Sequence, residues 1–258
     1  MGLLGLVIVL FQDRLIYYPY RYAPLVWQHL PLNFEPLRYR TSQGDQVSFY
    51  RRPVSGGEPL RIWLICNGQG NYALEWPDLL PNVGDKDAGF ILLDYPGYGF
   101  CEGSCTPSRI LAASEGAVES LRIKLGLPAD QFAARLGVFG YSLGTAPALQ
   151  YAAKHPVRRV VVAAPFTSLV DMGNAMFFWP CGQLIWQRFD NMARLAEISH
   201  QNPRPSVLIL HGDHDADIPV AMSEKLAAPY PGWVKRNVVA GADHETVLLD
   251  ALRMLGKL

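Results

Sequence analysis

The sequence has no surplus of charge. Its 258 residues carry 23 Lys and Arg against 23 Asp and Glu, a formal net charge of +0, and no basic block. Nothing in it recruits nucleic acid or an anionic membrane by long-range electrostatics, and a small neutral or apolar substrate fits better. Cysteine is sparse: Cys66, Cys101, Cys105 and Cys181, with no CxxC pair. Cys66 closes an apolar run and reads as a buried, inert thiol, while the Cys101/Cys105 spacing leaves a disulfide open. Internal repeats and low-complexity tracts are absent. So is an apolar run of membrane-spanning length: residues 1–11 (MGLLGLVIVLF) fall short of the roughly 20 residues that a helical span needs. They also lack the positive n-region and small-residue cleavage site of a signal peptide. Met-Gly opens the chain, but Leu6 stands where a myristoylation motif wants Ser or Thr. The reading for 1–22 is a partial membrane anchor or interfacial helix, with an ordinary helix packed on the domain as its alternative.

What is present is apolar material in a particular rhythm. Half the residues are hydrophobic and 18% are charged, enough for one large α/β domain over 23–258. A proline-punctuated lead-in (LIYYPYRY, 15–22, on to Pro36) is followed by alternating segments at 37–41 and 47–51 around Ser-Gln-Gly-Asp, a hairpin pattern. Short continuous apolar runs then recur at 62–66, 90–94, 136–140, 159–164, 207–211 and, more weakly, 234–239. Continuous rather than alternating hydrophobicity belongs to strands covered on both faces. Helix-length segments lie between them at 107–125, 143–154, 220–228 and 245–257, which predicts a mostly parallel, doubly wound sheet with right-handed crossovers. One interval is too long for a crossover. It is rich in Met176, Phe177, Phe178, Trp179, Leu184, Ile185 and Trp186, and it reads as a small cap insert at about 166–203.

Residues 136–144 read Leu-Gly-Val-Phe-Gly-Tyr-Ser-Leu-Gly. The Gly140-x-Ser142-x-Gly144 pattern falls between an apolar run and a helical segment, where a nucleophile on a sharp strand-to-helix turn needs flanking glycines. A serine needs a positioned base, itself oriented by an acid. Of six histidines, His29, His155 and His200 read as structural or solvated, His211 as a strand-end residue, and His214 lies within a polar loop. Chain order (serine, acid, histidine) favours His244, in the turn after the last strand. The acid then falls in His211-Gly-Asp-His-Asp-Ala-Asp, where Asp213, Asp215 and Asp217 compete. The same loop could be read as a metal cluster of His211, Asp213, His214 and Asp215. Residues so close along a loop diverge, however, and no second cluster completes a ligand set, so no metal is expected. An oxyanion hole needs two backbone N–H groups. Leu143, after the serine, would supply one, and Gln69 of Asn67-Gly-Gln-Gly-Asn71 the other.

The ordered motifs resemble the serine α/β-hydrolase superfamily, and within it the Bem46-like and ABHD13-like group. They are Phe11-Gln-x-x-Leu-Ile-Tyr-Tyr-Pro, Asn67-Gly-Gln-Gly-Asn, Asp94-Tyr-Pro-Gly-Tyr-Gly-x-x-Glu-Gly, Gly140-Tyr-Ser-Leu-Gly, Phe166-Thr-Ser-Leu-Val-Asp, Gln187-Arg-Phe-Asp-Asn, His211-Gly-Asp-x-Asp-x-x-Ile-Pro and Gly241-Ala-Asp-His. The resemblance implies an α/β-hydrolase fold, puts the acid on Asp215 and supports His244. It also makes residues 1–11 look like the tail of an N-terminal membrane segment. The sequence departs from the family at Asn67, where histidine is usual, and at Asp243, where glycine is usual. The expected activity is cofactor-free hydrolysis of a small carboxylic ester or thioester by Ser142, His244 and Asp215. The alternatives are a peptidase or amidase on the same triad and a non-catalytic binding protein on the same fold.

Overall fold

Continuous apolar runs bury both faces of a strand, and the computed structural model arranges them in one eight-stranded sheet. It describes residues 3–258, with side chains from residue 5 onward; Met1 and Gly2, and with them the Met-Gly signal, lie outside the described residues. The strands are β1 (Phe34–Thr41), β2 (Gly44–Arg51), β3 (Arg61–Cys66), β4 (Ala88–Leu92), β5 (Leu136–Tyr141), β6 (Arg159–Ala163), β7 (Ser206–Gly212) and β8 (Val234–Val239). Their order is β1-β2-β4-β3-β5-β6-β7-β8. The β1–β2 hairpin joins antiparallel at β4 and every later pairing is parallel. The hairpin and the mostly parallel sense agree with the sequence reading.

Alternation along each strand sorts side chains into two cores. In β3, Ile62, Leu64 and Cys66 enter one core, while Trp63 and Ile65 enter the other. The helices are α1 (Leu3–Ile16), α2 (Trp76–Leu79), α3 (Pro107–Leu125), α4 (Ala129–Arg135), α5 (Thr145–Lys154), α6 (Leu169–Phe177), α7 (Asn191–Ser199), α8 (Ala221–Ala227) and α9 (Thr246–Leu255). Residues of α1, α3, α5 and α7 build the first core, and residues of α2 and α9 the second. Local chemistry sets the helix ends: Thr106 caps α3 ahead of Pro107, and Gly126 ends it in the left-handed region at φ 65°. Ser168 and Asp190 cap α6 and α7 through their side chains.

Three features depart from or complete the sequence reading. Leu15 and Ile16 belong to α1 rather than to the extended lead-in. Helix α4, seven residues after Pro128, was not foreseen. Within the interval read as a cap, α7 packs against α5, so the part that overhangs the strand ends is α6 and the turn Cys181–Leu184. The four cysteines are buried free thiols. Cys101 donates to Val47 O and Cys105 to Pro96 O, and the two do not pair. Among the described residues, no helix is long and apolar enough to cross a membrane.

Asp94, just past β4, is a buried carboxyl. Its Oδ1 accepts from Ala73 N at 2.8 Å, and among the described residues its Oδ2 makes no hydrogen bond of good geometry, with Tyr22 beside it. Burial pushes its pKa up to about 7. An unfolded aspartate titrates near 3.9, so the native state holds the extra proton between roughly pH 4 and 7 and stability falls as pH rises through that window. Asp94→Asn keeps the acceptor without the charge. Urea denaturation of the two proteins across pH 4–9 should show the variant gaining on the wild type up to about pH 7, with the difference then levelling off.

Candidate active site

The turn from β5 into α5 is built around two backbone contacts that leave no room for side chains. A Cβ on Gly140 would lie 2.3 Å from Gly144 O, and one on Gly144 would lie 2.1 Å from Cys66 O at the end of β3. The turn therefore nests against the β3 strand end, and Ser142 at its apex takes φ 53°, a strained conformation for a non-glycine residue. Helix α5 begins three residues later and directs its N-terminus at this apex.

The loops after β7 and β8 deliver the other two groups. The Ser142 hydroxyl donates to His244 Nε2 at 2.9 Å, and His244 Nδ1–H donates to Asp215 Oδ2 at 2.8 Å. The structure thus brings Ser142, His244 and Asp215 into one hydrogen-bonded line. Asp215 Oδ1 accepts from the backbone N–H of Asp217 (3.0 Å) and Ile218 (2.8 Å). Its Oδ2 also lies 3.2 Å from His211 Nε2, and that nitrogen faces Ile218 O at 3.0 Å. A carbonyl can only accept, so His211 Nε2 carries the proton and shares it between the two oxygens. The side chains of Asp215 and His211 are fully buried, while that of His244 keeps 15% exposure on the cavity side. Burial alone would raise the Asp215 pKa. Hydrogen bonds from His211, His244 and Ile218 N–H outweigh it and hold the carboxyl well below the usual range.

The competing residues have other work. Asp213 Oδ1 accepts from Gly241 N and ties the acid loop to the histidine loop. The Asp217 side chain stands at the cavity rim and His214 is exposed. Asp243 accepts from the N–H groups of Glu245 and Thr246 and from the Thr246 hydroxyl, capping the turn into α9. His29 and His200 are exposed, and His155 bonds Glu115 at 2.7 Å on the far side of α5. Asn67 turns into the core: Nδ2 donates to Leu93 O and Oδ1 accepts from Trp76 Nε1. Gln69 and Leu143 both line the cavity above Ser142, and Gln69 O is fixed by the Tyr98 hydroxyl at 2.8 Å. Two contributors were not foreseen. Tyr141 donates its hydroxyl to His244 O at 3.0 Å, and His211 buttresses Asp215. No sequence pattern distinguishes a buttressing histidine from any strand-end histidine.

The cavity measures about 800 Å³. One side is apolar, with Phe166, Leu169, Met172 and Phe177 from the segment after β6 facing Ile8 and Ile16 of α1.

Comparison with known proteins follows the same lines. Residues 64–180 match the family model described as alpha/beta hydrolase fold. An uncharacterized protein of Mycobacterium tuberculosis is 28% identical over 251 residues, covering 94% of this chain and 86% of its own. Human alpha/beta hydrolase domain-containing protein 17B is 29% identical over 231 residues, covering 82% and 74%. An esterase of Pyrococcus furiosus superposes with a TM-score of 0.66 at 14% identity, covering 94% of this chain and 96% of its own. This chain has the alpha/beta-hydrolase fold.

The geometry makes the three aspartates separable. Asp215→Asn is expected to slow turnover of an activated ester by about 10⁴-fold, because an amide facing Nδ1 favours the wrong imidazole tautomer. Asp213→Asn and Asp217→Asn should stay within a few-fold of wild type. Parallel kcat measurements on the three purified variants check the ordering.

Proposed function

We propose that this protein is a serine hydrolase that cleaves carboxylic esters or thioesters through an acyl-enzyme. One observation carries the reading: the unbroken Ser142–His244–Asp215 hydrogen-bond line opens onto a largely apolar cavity. His244 takes the Ser142 proton as Oγ attacks the carbonyl, and Asp215 holds the tautomer and stabilises the imidazolium. The N–H groups of Gln69 and Leu143 receive the oxyanion, and His244 then protonates the leaving oxygen or sulfur. Water, activated by the same imidazole, releases the acid. The chemistry calls on no cofactor or metal.

The Pyrococcus furiosus esterase is consistent with ester chemistry on this fold. The ordered motifs, from Phe11-Gln-x-x-Leu-Ile-Tyr-Tyr-Pro to Gly241-Ala-Asp-His, support the narrower Bem46-like and ABHD13-like assignment. We also infer association with a lipid surface through the outer face of α1, where Leu6, Val7, Leu10 and Phe11 are exposed.

A fluorophosphonate probe tests the activity directly. The wild type should be labelled and should hydrolyse p-nitrophenyl esters with no loss of rate in a chelator. Ser142→Ala should abolish both labelling and turnover, and His244→Ala should reduce each by at least about a thousandfold. An unlabelled, inactive wild type would leave the fold as a binding module. Labelling that survives Ser142→Ala would move the nucleophile elsewhere.

A further inference from the structure

Helix α1 shows a stripe that composition alone hides. Ile8, Gln12 and Ile16 recur at every fourth position, one face of a helix, and all three are buried. Their neighbours Leu6, Leu10 and Phe11 are about half exposed or more. All three stripe residues line the active-site cavity, opposite Leu169, Met172 and Ile185. The helix is latched through its C-terminal half. Gln12 Oε1 accepts from the backbone N–H of Trp186 (2.8 Å) and Gln187 (3.2 Å), and Gln187 Nε2 donates to Asp13 Oδ1 at 2.7 Å. Three residues on, Leu15 O accepts from Gln69 Nε2 at 2.5 Å, beside the proposed oxyanion donor.

The geometry points to α1 as the acyl-selecting wall of the site, with Ile8 as the residue that sets how long an apolar acyl chain can be. This rests on the serine-hydrolase reading above and deepens it. Leu15 lies at the reacting end through Gln69, and the helix rises 1.5 Å per residue, so Ile8 stands about 10 Å further along the groove. A chain bonded to Ser142 and laid between α1 and α6 meets Ile16 first and Ile8 last. Every side chain named on this path is apolar except Gln12, whose amide oxygen is already engaged by the 186–187 backbone, so the groove presents little to a polar acyl group.

The test is acyl-chain selectivity in the full-length protein. kcat/KM is measured for p-nitrophenyl acetate, butyrate, octanoate and palmitate, and the octanoate-to-acetate ratio is compared between Ile8→Trp, which fills the distal groove, and Ile123→Trp, which places the same bulk on the exposed face of α3. Ile8→Trp should lower the ratio about tenfold or more, as expected when pocket volume is removed from under a chain, and Ile123→Trp should leave it at the wild-type value. Circular dichroism checks that each variant folds. Should Ile8→Trp fail to fold, Ile8→Phe carries the same comparison. An unchanged ratio in the folded Ile8 variant, or an equal fall in both, overturns the assignment. Failure of the underlying reading looks different: wild type would then be inert to every ester and to the fluorophosphonate.

Discussion

A carboxylate sealed from water is the constraint around which this site is arranged. Removing an ionised carboxyl from solvent costs several kcal/mol unless its oxygens are filled with donors. Asp215 meets that demand with two backbone N–H groups from its own loop and two imidazoles, one on β7 and one in the loop after β8. Each donor fixes something else. The backbone pair closes the loop after β7, His211 anchors the carboxylate to the strand itself, and His244 is drawn across from the loop after β8. Asp213 adds a second tie between those loops through Gly241. The imidazole is then held where its far nitrogen meets Ser142, so the order of the last strands is expressed in the position of one ring.

Much of this was legible from residue order. Continuous apolar runs gave the strands because both sheet faces are covered, and the glycine spacing around Ser142 marked the turn because the β3 carbonyl leaves no room for a Cβ at 144. The acid was less legible: Asp213, Asp215 and Asp217 are chemically alike, and only the folded loop shows which carboxyl turns inward. Family resemblance pointed to Asp215, and the hydrogen bonds converge there. Helix α4 escaped notice because seven residues hold too few turns to show a period. Asn67, standing where a family histidine is usual, turns its amide into the core and bonds Leu93 and Trp76.

The N-terminal segment presents two faces with different surroundings. Read as a string, residues 1–11 suggest a membrane. As a helix with two faces, α1 buries Ile8 and Gln12 against the cavity and leaves Leu10 and Phe11 outside. The two readings describe different faces of one element. Gln12, the buried polar residue that follows the apolar run, is the informative exception: an amide there must find partners, and it finds the backbone at 186 and 187.

The contact of Gly144 with the β3 carbonyl carries a last implication. The nucleophile turn and the Gln69 loop follow neighbouring parallel strands and meet in a backbone contact that admits no side chain. The spacing between the Ser142 turn and the Gln69 loop is therefore set largely by backbone, with the Tyr98 hydroxyl fixing Gln69 O. The cavity walls in α1 and α6 are side chains on separate elements. Such a division lets the walls be rewritten, by natural drift or by engineering, while the backbone around Ser142 is kept.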